Sequence, residues 1–358
     1  MEFLARGVLY MPSYKILMPH DRTLIVVGPD HIGDTIIALP ALGSLVECER
    51  YKRVGIIVND QAAPIVSAIF SVVKCLPCPP AYYSWFRTTY HATRLALRVS
   101  LLGYTDILDL RDDQISNAVS ATISALGLSR NSKPYVRDRK KEVVMSVSKI
   151  QYAHEHYERL VARFLERRPR NLISLLKTSQ HLMARVVDQK SSPRRHGICL
   201  CPGASTKSKS WPLRNWIMLG EILQKAGYSV SLVVSPNENL RSFRQTMAAM
   251  DIRILLDSSL LGVARNLAGA DMAITCDSAL SHIAFAVETP VLTLFGPTEP
   301  SKWFPYHLVG GGTTISLTAK PDCYPCQRMS CNSSTPCMPL FSVEEVATAI
   351  LLNYQCSK

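Results

Sequence analysis

The chain has 358 residues, enough for two domains that each bury a core. Hydrophobic residues at 47% and charged residues at 19% exclude a disordered chain, and no apolar run reaches the length of a membrane-spanning helix. The net charge of +12 calls for an anionic partner: a phosphorylated substrate, a membrane surface or a nucleic acid. The basic residues are scattered and form no nucleic-acid-binding motif, so nucleic acid is set aside. Met1 to Pro19 carries Arg6 and Lys15 without an apolar core or a cleavage site. Residues 1–21 therefore read as an extension and not a signal peptide, and the expected location is cytoplasmic. Eleven cysteines in such a compartment are expected to be mostly reduced.

Thr23 to Val27 is a continuous apolar run, as for a strand buried on both faces. A loop follows, and Gly33-Asp34 opens a helix over Thr35 to Leu45 that contains Pro40. Asp34 thus stands beyond the carboxyl end of a strand, either as a helix cap or as a general base in a cleft. Arg53 to Val58 is a second strand, an apolar helix begins at Ala62, and Val72 to Leu76 is a short third strand. Cys75 and Cys78 read as structural. Tyr82 to Leu102 is a helix mixing Trp85, Phe86 and Tyr90 with Arg87, Arg94 and Arg98. It is either a solvated basic face or a face for an anionic membrane. Thr105 to Leu110 is a strand ending in Arg111, and helices are expected over Ile115 to Leu126 and Gln151 to Arg168. The charged stretch Pro169 to Pro193 reads as the interdomain linker, which divides the chain into domains at 22–185 and 190–340.

In the second half, Gly197 to Cys201 is a strand followed by a loop, Pro202 to Lys209, rich in Ser, Thr and Lys. Hydroxyls, backbone N–H groups and an ammonium after a strand suit a diphosphate, although the order is not that of a Walker A loop. Trp216 to Ala226 is a helix and Tyr228 to Val234 a strand, whose carboxyl-end turn holds Glu238, a candidate for ribose hydroxyls. Asp251 to Asp257 is a strand, and Ser258 stands before the helix Leu261 to Ala268, where it would border the base. Ala270 to Thr275 is a strand, Cys276 to Ser278 a turn, Ser281 to Val287 a helix, and Val291 to Phe295 a strand ending at Gly296-Pro297-Thr298. Backbone N–H groups at the helix start near Asp277 and Ser278 suit a phosphate; the plainer reading is an ordinary N-cap.

Three groups of residues together resemble glycosyltransferase family 9, the heptosyltransferases. Asp277, Ser278, His282, Ala284, Ala286, Gly296, Pro297, Thr298 and Pro300 match its nucleotide-sugar motif. Gly33, Asp34, Pro40, Ala41 and Leu42 match its amino-terminal signature, and Ser205, Thr206, Lys209, Trp211 and Pro212 match its phosphate loop. Ala279 departs, standing where the family has glycine, and its methyl group would narrow the room for a phosphate or tilt the turn. The resemblance implies α/β architecture: two Rossmann-like parallel-sheet domains facing a central cleft, the GT-B type. It implies inverting transfer of a heptose from ADP-heptose to a lipopolysaccharide-core acceptor. Asp34 would be the base. Ser205, Thr206, Lys209, Glu238, Ser258, Asp277, Ser278, Ala279 and His282 would hold the donor, with Asp277 orienting Lys209 or bonding a sugar hydroxyl, and Arg111 would take an acceptor anion. No catalytic metal is expected. Alternatives are a related transferase with another donor or a protein acceptor, and a nucleotide-binding module without catalysis. An anionic glycan or glycolipid acceptor also raises a peripheral contact with the inner membrane.

Cys323, Cys326, Cys331 and Cys337 lie in a stretch, 321–338, broken by prolines and poor in apolar residues. Such a segment needs a cross-link in place of a core, and four thiolates point to a structural zinc or iron site set apart from the chemistry. Disulfides and free thiols are the competing readings. Ser342 to Asn353, within a terminal segment 341–358, reads as a helix packing back on the first domain.

Overall fold

The structure is a computed structural model that describes residues 22–78, 85–111, 152–187, 197–234, 240–257, 259–309, 314–328 and 330–354. In the first unit, β1 (Thr23–Val27), β2 (Arg53–Asn59), β3 (Lys74–Cys78) and β4 (Asp106–Asp109) form a parallel sheet in the order β3-β2-β1-β4. Leu24, Ile25 and Val26 are fully buried, which is why this strand is apolar throughout and does not alternate. Helices α1 (Ile32–Val46), α2 (Ala63–Ile69) and α3 (Trp85–Leu101) connect the strands.

The chain then passes through α4 (Ala153–Phe164) and α5 (Leu172–Ala184) before the second sheet. That sheet is parallel too, in the order β10-β9-β8-β5-β6-β7. Its strands are β5 (Ile198–Cys201), β6 (Val230–Val234), β7 (Arg253–Leu256), β8 (Met272–Cys276), β9 (Val291–Phe295) and β10 (Thr314–Thr318). Its helices include α6 (Leu213–Lys225), α7 (Arg241–Ala249), α8 (Leu260–Ala268), α9 (Ala279–Ala286), the one-turn α10 (Pro300–Trp303) and the terminal α11 (Val343–Asn353). Two parallel-sheet α/β units, as the resemblance implies, make up the fold.

Both sheets reverse direction beside their first strand. The chain lays β2 and β3 on one side of β1 and β4 on the other; it lays β6 and β7 on one side of β5 and β8 to β10 on the other. Crevices open at such switch points, beyond the strands' carboxyl ends. The units meet over a broad apolar seam. Helix α1 packs on α9 of the second unit, and α5 touches both. Ile36, Leu39, Leu176, Ile283 and Phe285 belong to one buried cluster that crosses the seam.

Two expectations are corrected here. The stretch taken as linker, Pro169 to Pro193, contains α5: Asn171 caps it by accepting from the Ser174 N–H, and Leu172, Leu175, Leu176, Leu182 and Met183 bury one face. Apolar spacing outweighs the charged composition. The terminal helix packs on α6 and not on the first unit. Val343, Val346 and Ile350 bury with Trp216 and Leu219, and the Trp211 indole N–H donates to the Phe341 carbonyl. The expected helix Ile115 to Leu126 lies outside the described residues.

Candidate active site

Each switch point is closed by an ion pair. In the first unit Arg111, just past β4, meets Asp30, just past β1, at 2.7 Å. In the second unit Lys209, after β5, meets Asp277, after β8, at 2.7 Å. Strand register explains both pairs, because Val27 lies beside Asp109 and Cys201 beside Thr275. The loops after paired strand ends emerge side by side, so their side chains can span the switch.

The two pairs serve different ends. The Arg111 side chain is only 2% exposed and its guanidinium also contacts the Cys78 thiol. It therefore braces the β1–α1 loop and does not stand open to an acceptor, contrary to the expectation for it. Lys209 keeps 19% of its side chain exposed, whereas Asp277 is nearly covered. Asp277 also accepts from the Thr298 hydroxyl at the end of β9. Its charge is thus held from two loops, while the Lys209 side chain stays partly exposed.

Asp34 sits in the first turn of α1, where the helix dipole favours a carboxylate. Burial is the largest influence on it and raises its proton affinity. His31, Lys209 and the Tyr157 hydroxyl pull the other way, and Asp277 pushes with burial. Lys209 and Asp277 act on Asp34 from the opposite unit. The sequence expected Asp34 and Lys209 to share a cleft, and the structure brings them within electrostatic reach.

His282 lies inside α9, 5% exposed, with Nδ1 bonded to the Tyr306 hydroxyl. Burial lowers its pKa to about 4, so the ring is neutral near pH 7. Tyr306 stacks on Phe285, with ring centroids 3.8 Å apart, and stands edge-on to His154 of α4, which burial pushes down to about 3. A Cβ placed on Gly33 would lie 3.2 Å from His282 Cδ2 and 3.7 Å from Ala279 Cα. His282 and Ala279 therefore form the contact between α9 and α1, one residue from Asp34. Tyr306 is the residue that sequence reasoning missed; its only signal was an aromatic shortly after the Gly296-Pro297-Thr298 turn.

The remaining donor candidates divide. Ser278 caps α9 by accepting from the Leu280 N–H. Ser205 is exposed at the loop, and the Thr206 hydroxyl is 2.9 Å from that of Ser208. Glu238 and Ser258 fall outside the described residues.

The cysteine-rich segment is not remote from these loops. The Ser208 hydroxyl donates to the Arg328 carbonyl, the Gln327 N–H donates to the Pro297 carbonyl, and the Cys337 thiol points at the Ser208 carbonyl. Cys337 and Met338 close over Gly296, where a Cβ would come within 2.9 Å of both sulfurs. The segment clasps the loop after β5 and the β9 turn together, which corrects the expectation that it stands apart. Cys323 and Cys331 are exposed, Cys326 is half-buried and Cys337 is buried. Among the described residues no group of three or more His, Cys, Asp or Glu is arranged to hold a metal ion. The four thiols as placed do not make the expected ligand set.

The sequence pattern of glycosyltransferase family 9 (heptosyltransferase) matches residues 94–335. The chain belongs to glycosyltransferase family 9. Lipopolysaccharide heptosyltransferase 1 of Escherichia coli strain K12 is 25% identical over 299 residues, covering 80% of this chain and 90% of that protein. The Pseudomonas aeruginosa protein of the same name is 25% identical over 320 residues, covering 86% and 87%. Among solved structures, the E. coli heptosyltransferase WaaC with ADP-2-deoxy-2-fluoro heptose superposes with a TM-score of 0.65 at 18% identity, over 93% of this chain and 100% of that one. The chain shares the fold of that family 9 enzyme, and its activity is that of a glycosyltransferase.

Proposed function

We propose that the protein transfers a heptose, with inversion, from ADP-heptose to a sugar of the lipopolysaccharide core. The observation that carries this reading is the convergence of Asp34 with Lys209 and Asp277 across the seam. One unit supplies a half-buried carboxylate and the other a cation beside a helix start. The curated relatives named above and the sugar nucleotide bound in the WaaC structure supply the donor and acceptor class.

In this reading the ADP diphosphate lies against Lys209, the Ser205 and Thr206 hydroxyls and the start of α9. The acceptor hydroxyl oxygen attacks the anomeric carbon and its proton passes to Asp34. The bond from that carbon to the β-phosphate oxygen breaks, and its electron pair leaves with ADP. Help from a base of this kind is worth roughly 10²–10⁴-fold in rate. Lys209 neutralises the charge that develops on the leaving diphosphate. Its present contact with Asp277 holds the ammonium in place until the donor arrives.

Donor binding also sharpens the base. Lys209 lowers the proton affinity of Asp34. A diphosphate beside Lys209 offsets that cation and raises the affinity again. Asp34 is then the stronger base when the donor is loaded.

The cysteine segment enters no step; it braces the donor loops. Among the described residues no helix is long and apolar enough to cross a membrane. We place the enzyme in the cytoplasm, working on a glycolipid acceptor at the inner leaflet.

The deciding experiment incubates the protein with lipopolysaccharide-core acceptor and a panel of ADP- and UDP-sugars, and weighs the products. Gain of one heptose with ADP-heptose is expected. Transfer of a different sugar, or ADP release without transfer, overturns the assignment.

A further inference from the structure

We propose that the outward face of α3 is the surface on which the protein rests against an anionic lipid bilayer. The inference deepens the reading above, since an enzyme with a glycolipid acceptor has to work at a membrane surface.

Helix α3 is two-faced. Leu95, Ala96 and Val99 are buried against Ile25, Val27, Ile57 and Leu76 of the first sheet. The opposite face carries Tyr90, Leu97 and Leu101, which are 62%, 48% and 89% exposed, and Arg94 and Arg98, also exposed. At roughly 100° per residue these five fall within an arc of about 100°. Exposed leucines beside arginines are costly in water and favourable at a lipid interface. There the aliphatic groups enter the acyl boundary while the guanidinium groups reach phosphate.

Charge selects the partner. The helix contains three arginines and no Asp or Glu along its whole length. An anionic bilayer answers both the cations and the apolar groups between them. A solvated helix face would be expected to carry acids among the arginines and to keep its leucines inside.

Placement fits as well. Helix α3 follows β3, whose carboxyl end lies at the same end of the sheet as the loop before Asp34. The helix therefore starts at the cleft end and runs down the flank of the acceptor-side unit. A bilayer along that flank would present a glycolipid headgroup near the cleft while leaving the second unit free to load the donor.

The test is cosedimentation of the full chain with vesicles of phosphatidylcholine alone and of phosphatidylcholine mixed with phosphatidylglycerol. The wild type should bind the anionic vesicles roughly tenfold or more tightly than the neutral ones, with the preference falling as salt rises. Two double variants separate the contributions: Arg94→Gln with Arg98→Gln, and Leu97→Gln with Leu101→Gln. Each should bring binding down to the neutral-vesicle level. Melting temperature, ADP binding and turnover on a short water-soluble acceptor should stay unchanged, because all four side chains are exposed. Wild type that ignores both vesicle types, or variants that bind like the wild type, overturn the proposal and leave the face to a protein partner or to solvent. Vesicle binding is read without turnover, so absence of heptose transfer would count against the functional reading alone.

Discussion

The Lys209 ammonium lies 2.7 Å from the Asp277 carboxylate across the switch point of the second sheet, and Asp277 is held in turn by Thr298. Three loops thus fix one cation. Lys207, two residues earlier, is exposed in the same loop and forms no such ion pair among the described residues. The two lysines should behave differently. Lys209→Ala removes a charge-assisted bond to phosphate, typically about 1.5–3 kcal/mol, so ADP affinity should fall by roughly ten- to a hundredfold. Lys207→Ala should leave it nearly unchanged. Calorimetric titration with ADP measures both, and equal losses would mean that diffuse charge, not this pair, binds the diphosphate.

Asp34→Asn should abolish turnover and leave ADP binding within a few-fold of wild type, since the amide fills the same space but takes no proton. The pH profile carries a second signature. Burial raises the folded-state pKa of Asp34 above its ordinary value. The carboxylate is the active form, so kcat should fall on the acid side, with a midpoint above the ordinary aspartate range of about 3.9. Lys209 pulls that midpoint down, so Lys209→Ala should move the acid limb to higher pH. An acid limb at or below the ordinary range would show that Asp34 is not the titrating base.

How far this site was legible depended on whether a residue's partner followed from local order. Asp34, Lys209 and Asp277 all stand in the segments that follow a strand's carboxyl end, where the crevices of parallel sheets open. Arg111 has the same position, yet it is buried against Asp30. Spacing cannot distinguish a cation open to the cleft from one spent bracing the neighbouring loop. Tyr306 lies beyond the last motif residue and acts only through the fold, by stacking on Phe285 and bonding His282. For α5 the apolar spacing was present in the sequence, but the charged residues on either side concealed it.

Glu158 should give the fold a defined acid sensitivity. It is fully buried in α4, accepts from Arg167 and Arg170, and Arg170 also donates to the Pro40 carbonyl of α1. Burial alone would raise its pKa, but the bonds from Arg170 and Arg167 outweigh burial and the net shift is downward. A lowered carboxylate pKa contributes stability above the unfolded value, about 4.3, and that stability is lost as pH falls through the folded value. Glu158→Gln should lower the melting temperature at pH 7, and the gap from wild type should narrow below about pH 4. A gap independent of pH would assign the loss to packing and not to charge.

The contact between Gly33 and His282 should control turnover through the seam. A methyl group on Gly33 would sit 3.2 Å from His282 Cδ2, closer than ordinary van der Waals contact. The ring cannot easily yield, because Tyr306 holds its Nδ1 and is itself stacked on Phe285. Gly33→Ala should therefore push α1 away from α9 by a few tenths of an ångström or more. Overpacking of this kind typically costs about 1–3 kcal/mol. The shift separates Asp34 from Lys209 while leaving the phosphate loop intact, so kcat should fall roughly tenfold or more with ADP affinity preserved. Adding Tyr306→Phe releases the imidazole to turn aside and should restore part of the lost rate. The comparison of single and double variants in kcat and in ADP titration decides it. A Gly33→Ala enzyme with wild-type kcat, or one that loses ADP binding in step with turnover, would show that the seam does not set the distance between base and donor.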